Sequence, residues 1–269
     1  MGLICNDTCC TMSTNQTVCF ADMNFTDHAN RTYPAVWEIV LRSSICIPLV
    51  LMGVVGNSLT IFLLLKNKLL MTTSVNLFIL NMAVADLIHS IAGPIPYTIK
   101  ELNQFWVLGP VWCYAITYIE VLVSLVSMTS IAVISFDRML GIVRPFHRYL
   151  KSWVSLLIII IIWIYAAALS TPFAKGTRYI ERQWKDILEP MCNQNCSYLH
   201  IWWDVVNIGS FWIPLTIMNI CYGIIFYNFN KYTRTQQEHP ASLHMKRRVL
   251  RMLVFLTLLV IFLWVPSQV

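Results

Sequence analysis

Residues 110–138 read PVWCYAITYIEVLVSLVSMTSIAVISFDR. The stretch is long and apolar enough to cross a bilayer as a helix, which takes about 20 residues. Yet it carries Glu120 within it and Asp137-Arg138 at its end. At about 100° per residue, Arg138 follows Glu120 by 18 positions, a whole number of turns. Ser127 precedes Arg138 by 11 positions and falls about 20° from the same face. Charged groups inside a membrane are expensive and turn toward a protein interior. One stripe of this helix therefore faces inward, with Glu120 roughly 27 Å from Arg138 along the axis.

Comparable apolar segments recur on both sides, and six are expected: residues 37–65, 75–99, 110–138, 152–172, 200–229 and 247–269. The composition agrees: 57% of the 269 residues are hydrophobic and 12% charged, with a mean hydropathy of +0.63. A soluble domain carries about twice that share of charge. In lipid every backbone polar group must be satisfied within the chain, so the six segments are read as helices. The alternating ten-residue signal of a membrane barrel is absent, and so is an internal repeat of the transporter kind. The net charge of +6 does not point to nucleic acid, because the basic residues flank apolar runs and form no aromatic-interleaved patch.

The loops set the orientation. Lys66, Lys68, Arg144, Arg148, Lys151, Lys231, Arg234, Lys246, Arg247, Arg248 and Arg251 fall on one side, opposed only by Glu238. The other side mixes Lys100, Lys175, Arg178, Arg182 and Lys185 with Glu101, Glu181, Asp186 and Glu189. The positive-inside rule places the first set in the cytoplasm and the N-terminus outside. N-x-[ST] sequons at Asn6, Asn15, Asn24 and Asn30, beside Cys5, Cys9, Cys10 and Cys19, agree, and a further sequon starts at Asn195. The expected organisation is a glycosylated extracellular tail over residues 1–36 and a helical bundle over 37–269. Residues 1–19 lack the apolar core of a cleavable signal, so the first span is expected to carry the tail across. The Met-Gly start lacks the Ser or Thr of a myristoylation motif at Asn6.

Other polar residues share the apolar segments: Asn57, Asn81, Asp86 and His89. Asn57, Asp86 and Ser127 are expected to form one polar network, completed by water or by a sodium ion on Asp86 and Ser127. For Glu120 two readings stand: the counter-ion of a bound ligand, or a structural group that is paired with His89 or protonated. No H-E-x-x-H, G-x-S-x-G or Gly-rich phosphate loop is present, so no enzyme is expected.

In order along the chain, Gly56-Asn57, Leu80-Asn81-Met82-Ala83-Val84-Ala85-Asp86-Leu87, Trp106-Val107-Leu108-Gly109 before Cys113, Phe136-Asp137-Arg138-Met139, Trp163, Pro214 with Tyr222, and Leu263-Trp264-Val265-Pro266 mark successive segments. Each motif alone is weak; the ordered set resembles the rhodopsin-like G-protein-coupled receptor family from about residue 37 onward. That resemblance implies an all-α membrane fold, a seven-transmembrane bundle of which six helices are present, in the plasma membrane. It implies binding of an extracellular ligand among the outer helix ends and nucleotide exchange on a heterotrimeric G-protein at the inner ends. Glu120, Gln104, Trp106, Val121, Asp204 and Trp264 would line the ligand site. Asp137, Arg138, Pro145, Phe146 and Tyr222 would serve coupling, with Arg138 turning from Asp137 toward Tyr222 on activation. Cys113 would pair with Cys192 or Cys196, Cys192 being favoured.

The chain departs from the family pattern at Met139 (for Tyr), Leu263 (for Cys), Val260 (for Phe) and Met128 (for Ile). No carboxylate stands near Lys246-Arg247-Arg248 to bridge to Arg138, so looser restraint of the resting state is expected. The long, mixed-charge second loop and Pro94 with Pro96 resemble the peptide-binding branch. Glu120 among aromatics suits a basic neuropeptide, and Glu181, Asp186, Glu189 and Asp204 would attract it. The alternatives are an amine or other small-molecule receptor of the same family, or a truncated isoform that does not signal.

Overall fold

The computed structural model describes residues 4–5, 9–11, 17–25, 35–67, 69–103, 105–143, 151–194 and 196–234. The sixth expected span, 247–269, lies outside them. Among the described residues five helical spans are long and apolar enough to cross a membrane: Val36–Lys66, Ser74–Pro96, Gly109–Val143, Ser152–Gly176 and Tyr198–Asn228. The chain is an all-α membrane bundle.

The first span is one helix, α1 (Val36–Lys66), bent around no break despite Pro48. The second span is split. Helix α2 (Ser74–Ala92) ends at Gly93, and α3 (Pro94–Leu102) restarts with proline at its first position. Proline there gives up an N–H that the first turn leaves unused in any case. The third span is α4 (Gly109–Val143) and the fourth is α5 (Ser152–Gly176). Helix α4 runs five residues past the expected Arg138, because nothing in Met139–Val143 breaks a helix.

The fifth span comprises α6 (Cys196–Asn207), one π turn (Ile208–Trp212) and α7 (Ile213–Arg234). Pro214 accounts for the wide turn: it has no N–H to donate to the carbonyl four residues back, so the ladder loosens just before it. Two short antiparallel sheets complete the description. Strands β1 (Ile4–Cys5), β2 (Cys9–Thr11) and β3 (Thr17–Cys19) form a meander in the tail. Strands β4 (Thr177–Gln183) and β5 (Leu188–Gln194) form a seven-rung hairpin between α5 and α6, from Thr177↔Gln194 to Gln183↔Leu188.

The chain divides into two compact units. One comprises residues 1–56, 87–123 and 167–203; the other comprises 57–86, 124–166 and 204–269. In the first, Cys113, Phe173, Thr177 and Leu199 are fully buried. In the second, Phe78, Leu125, Val126, Met218 and Ile225 are. Polar groups share both interiors, whereas Leu41, Leu51, Val55 and Phe62 on α1 point outward. That arrangement reverses a soluble protein's and is the one lipid selects: helices associate there through packing and buried hydrogen bonds, since burial in protein gains little over burial in lipid. Gly53 shows how close the packing is. A methyl group built on it would fall against Ser90 Oγ and lie 3.0 Å from Ser90 Cβ, so a larger residue would make the serine side chain give way where α1 approaches α2.

Candidate functional site

The hairpin is fastened to the start of α4. The Cys113–Cys192 disulfide is formed, with Cα atoms 5.6 Å apart. The Tyr179 amide donates to Tyr114 Oη at 3.4 Å, and Gln194 Nε2 donates to Thr117 Oγ1 at 3.0 Å. The loop before α4 is fixed by Trp106. Its backbone N–H donates to the Pro190 carbonyl at 2.9 Å and its indole N–H to the Gly109 carbonyl at 2.8 Å. Gly109 takes φ +75°, a conformation that glycine adopts without strain. The W-x-x-G spacing is thus a mechanical unit: the indole reaches the carbonyl of the residue that turns the chain into α4.

A strap from the tail lies over the hairpin tip. Phe25 and Trp184 are buried against each other, with ring centroids 5.4 Å apart, and Phe105 packs on Phe25 at the same separation. The Phe25 amide donates to Asp186 Oδ1 at 2.8 Å, and the Lys185 amide donates to the Met23 carbonyl at 3.1 Å. These contacts correct the expected role of one loop acid, Glu189. Glu189 is no solvated attractor: it is 3% exposed, accepts the Trp184 indole N–H at 2.8 Å, and lies 3.7 Å from Arg182 across the hairpin. Asp186 accepts from the strap and stays exposed. Glu181 accepts the Tyr179 hydroxyl at 2.9 Å. That bond, with the carboxylate's charge beside it, raises the Tyr179 pKa above the usual phenol value.

Glu120 is half-buried on α4. Its carboxylate lies beside the break in the second span. A methyl built on Gly93 would lie 3.2 Å from Glu120 Oε1, 3.3 Å from the His89 carbonyl oxygen and 4.0 Å from His89 Cε1. Among the described residues no hydrogen bond or ion pair involves the Glu120 carboxylate. The pairing with His89 left open above is not formed. Val121 beside it is buried and Asp204 on α6 is exposed.

In the second unit, Ser127 Oγ donates to Asp86 Oδ1, joining the two residues of the expected network, and Asn57 is half-buried on α1. A second hub was not anticipated as such. Asn81 Nδ2 donates to Ser130 Oγ at 2.9 Å, and the Trp163 indole N–H donates to Asn81 Oδ1 at 2.8 Å. This single amide bonds α2 to both α4 and α5. Toward the end of α4, Arg138 Nη2 pairs with Asp137 Oδ2 at 2.7 Å, and Ser74 Oγ lies 3.5 Å from Asp137 Oδ1. Tyr222 does not meet Arg138; its hydroxyl lies 2.7 Å from Ser135 Oγ. Gln104, Pro145, Phe146, Trp264, Asn6, Asn15, Asn30 and Asn195 lie outside the described residues.

Five apolar spans, a hairpin locked by a disulfide to the third, and an Asp-Arg pair near that span's end define a polytopic helical membrane protein of receptor type. Residues 56–269 match the 7 transmembrane receptor (rhodopsin family), and the chain belongs to that family, which is a family of receptors and not a class of enzymes. It is 26% identical over 236 residues to the Substance-K receptor of Mesocricetus auratus, covering 86% of this chain and 61% of the relative. It is 28% identical over 237 residues to the Neuropeptide Y receptor type 2 of Bos taurus, covering 85% and 61%. It is 25% identical over 242 residues to the GQ-coupled rhodopsin of Mizuhopecten yessoensis, covering 81% and 47%. The chain therefore spans 47% to 61% of the length of these relatives.

Proposed function

We propose that the protein is a plasma-membrane receptor, N-terminus outside, that binds a basic extracellular neuropeptide and promotes nucleotide exchange on a heterotrimeric G-protein. The observation that carries this reading is the Glu120 carboxylate. It is half-buried, without a protein partner among the described residues, and on the helix face that the Asp137-Arg138 pair also marks. A carboxylate in that state is poorly solvated and gains strongly from a guanidinium or ammonium group brought by a ligand. The names of the Substance-K and Neuropeptide Y relatives support a peptide as the carrier of that cation. The mixed-charge hairpin fixed over the start of α4 supports an extended ligand over a compact one.

At the other end, Arg138 held by Asp137 is the resting arrangement. Turning Arg138 away from Asp137 would expose a cation for the G-protein, a population shift between two states of the bundle. Pro145 and Phe146 would add an apolar contact, and Trp264 would close the ligand site from the sixth span. The N-linked sugars would sit on Asn6, Asn15, Asn24, Asn30 and Asn195. Sodium fits less well. Asp86 and Ser127 offer three side-chain oxygens, whereas a hard cation takes about six.

The test uses the full-length receptor in cell membranes, screened against pools of amidated neuropeptides with calcium and cAMP readouts. Once an active basic peptide is found, Glu120→Gln should weaken it by about 2 kcal/mol or more, the scale of an abandoned buried charge pair. Arg138→Ala should abolish nucleotide exchange while surface expression persists. Unchanged affinity in the first variant, or normal coupling in the second, would refute the corresponding role.

A further inference from the structure

Tyr222 is 6% exposed, packed among Met139, Leu215, Met218 and Ile225. A phenol hydroxyl in such surroundings needs a partner. Among the described residues the partner is Ser135, itself fully buried on α4. The direction of that bond can be worked out. Ser135 Oγ also lies 2.9 Å from the Ile131 carbonyl oxygen four residues earlier, to which it can only donate. A serine hydroxyl has one proton. With that proton on Ile131, Ser135 must accept from Tyr222, and Tyr222 spends its single proton on Ser135.

Arg138 stands one turn further along α4, with its guanidinium on Asp137. A guanidinium has no lone pair, so toward Arg138 the Tyr222 hydroxyl can only accept. The rise between positions 135 and 138 is about 4.5 Å. In the structure the two groups are held apart, Tyr222 on Ser135 and Arg138 on Asp137. Moving Tyr222 toward Arg138 would draw its hydroxyl along α4, away from the Ser135 bond that the structure holds.

We propose that Ser135 is a positioning residue that holds Tyr222 in the resting arrangement, apart from Arg138. This rests on the coupling role given above to Arg138 and Tyr222. It assigns the restraint that the basic start of the sixth span, Lys246-Arg247-Arg248, cannot supply for want of a carboxylate. The restraint is one buried interhelical hydrogen bond. Removing it should shift the resting-to-active ratio by roughly threefold to tenfold, the range such bonds show in membranes.

The experiment uses the full-length receptor in lipid nanodiscs with purified heterotrimers of the main G-protein classes. Binding of GTPγS is measured without added peptide, and each variant's melting temperature is recorded. Ser135→Ala should raise basal exchange roughly threefold to tenfold. Ser135→Cys, which keeps the volume but offers a weak acceptor, should raise it less, and replaces the alanine variant if that one fails to fold. In a Tyr222→Phe background the serine substitutions should add nothing, because no hydroxyl remains to be released. Basal exchange at or below the wild-type level would overturn the proposal even if the melting temperature falls, since that is what a purely structural bond would do. A rise that persists in the Tyr222→Phe background would overturn it equally. Wild-type receptor that couples while the serine variants do not respond removes the Ser135 restraint alone. A wild type silent with every heterotrimer, with and without the active peptide, removes the coupling reading and this proposal with it.

Discussion

Asn81→Ala should be the most informative single substitution for the stability of the bundle. Asn81 is 8% exposed and occupies both ends of its amide: Nδ2 on Ser130 at 2.9 Å and Oδ1 under the Trp163 indole at 2.8 Å. Ser130 keeps a partner after the change, because its own proton is on the Val126 carbonyl at 2.6 Å. The Trp163 N–H does not, and nothing else among the described residues accepts it. Interhelical hydrogen bonds in membranes average about 0.6 kcal/mol, with a maximum near 1.7 kcal/mol. Two bonds lost from one buried hub, one leaving an orphan donor, put the loss at about 1.5–3 kcal/mol. The assay is unfolding of the purified receptor titrated with SDS in mixed micelles, on Asn81→Ala, Trp163→Phe and the double variant. Because Trp163→Phe removes the same bond from its other end, the two changes should be sub-additive by about 0.5–1.5 kcal/mol. Strict additivity would mean that the indole and the amide do not interact, and would refute the reasoning from geometry to stability.

Two further outcomes follow from packing. Gly53→Ala should lower the melting temperature, because its new methyl falls against Ser90 Oγ and lies 3.0 Å from Ser90 Cβ; overpacking of this kind costs about 1–3 kcal/mol. Adding Ser90→Ala should recover part of that loss, and no recovery would show that the strain lies elsewhere. Phe25→Ala should free the strap, and amide exchange at Lys185, whose N–H bonds the Met23 carbonyl, should quicken about tenfold or more, given roughly 1.5–3 kcal/mol for a buried aromatic. Unchanged exchange at Lys185 would mean that the strap is held without Phe25.

The spans are legible in the sequence because lipid imposes them on composition. Long apolar runs are a local property, so five of the expected spans appear where the hydropathy puts them. The break at Gly93 was signalled by Pro94 and Pro96, although residues 75–99 were read as one segment. What pairs with what was mostly hidden. Asn81 and Trp163 are 82 positions apart, and the sequence marks the first as a polar residue in an apolar segment and the second as a motif position without joining them. Glu189 looked like an ordinary loop acid; its burial depends on Trp184, an aromatic in a charged stretch that was the one available hint. The strap could not have been anticipated, because Phe25 sits in a polar tail with no periodicity around it. For Glu120 the sequence left two readings open. Among the described residues no ion pair joins Glu120 to His89, although Glu120 Oε1 and His89 Cε1 lie 3.2 and 4.0 Å from the point a Gly93 Cβ would occupy.

The single wide turn at residues 208–212 bears on how this protein can be compared with others residue by residue. A π turn accommodates one extra residue within a helix, and one residue corresponds to about 100° of rotation. Excising any one position from that turn would leave a continuous helix but swing Tyr198 to Asn207 about a quarter of a revolution around the axis relative to Leu215 and Met218. The groups that α6 directs inward are therefore set by a local miscount, and numbering carried across Pro214 from a relative lacking it would assign the wrong side chains to the interior.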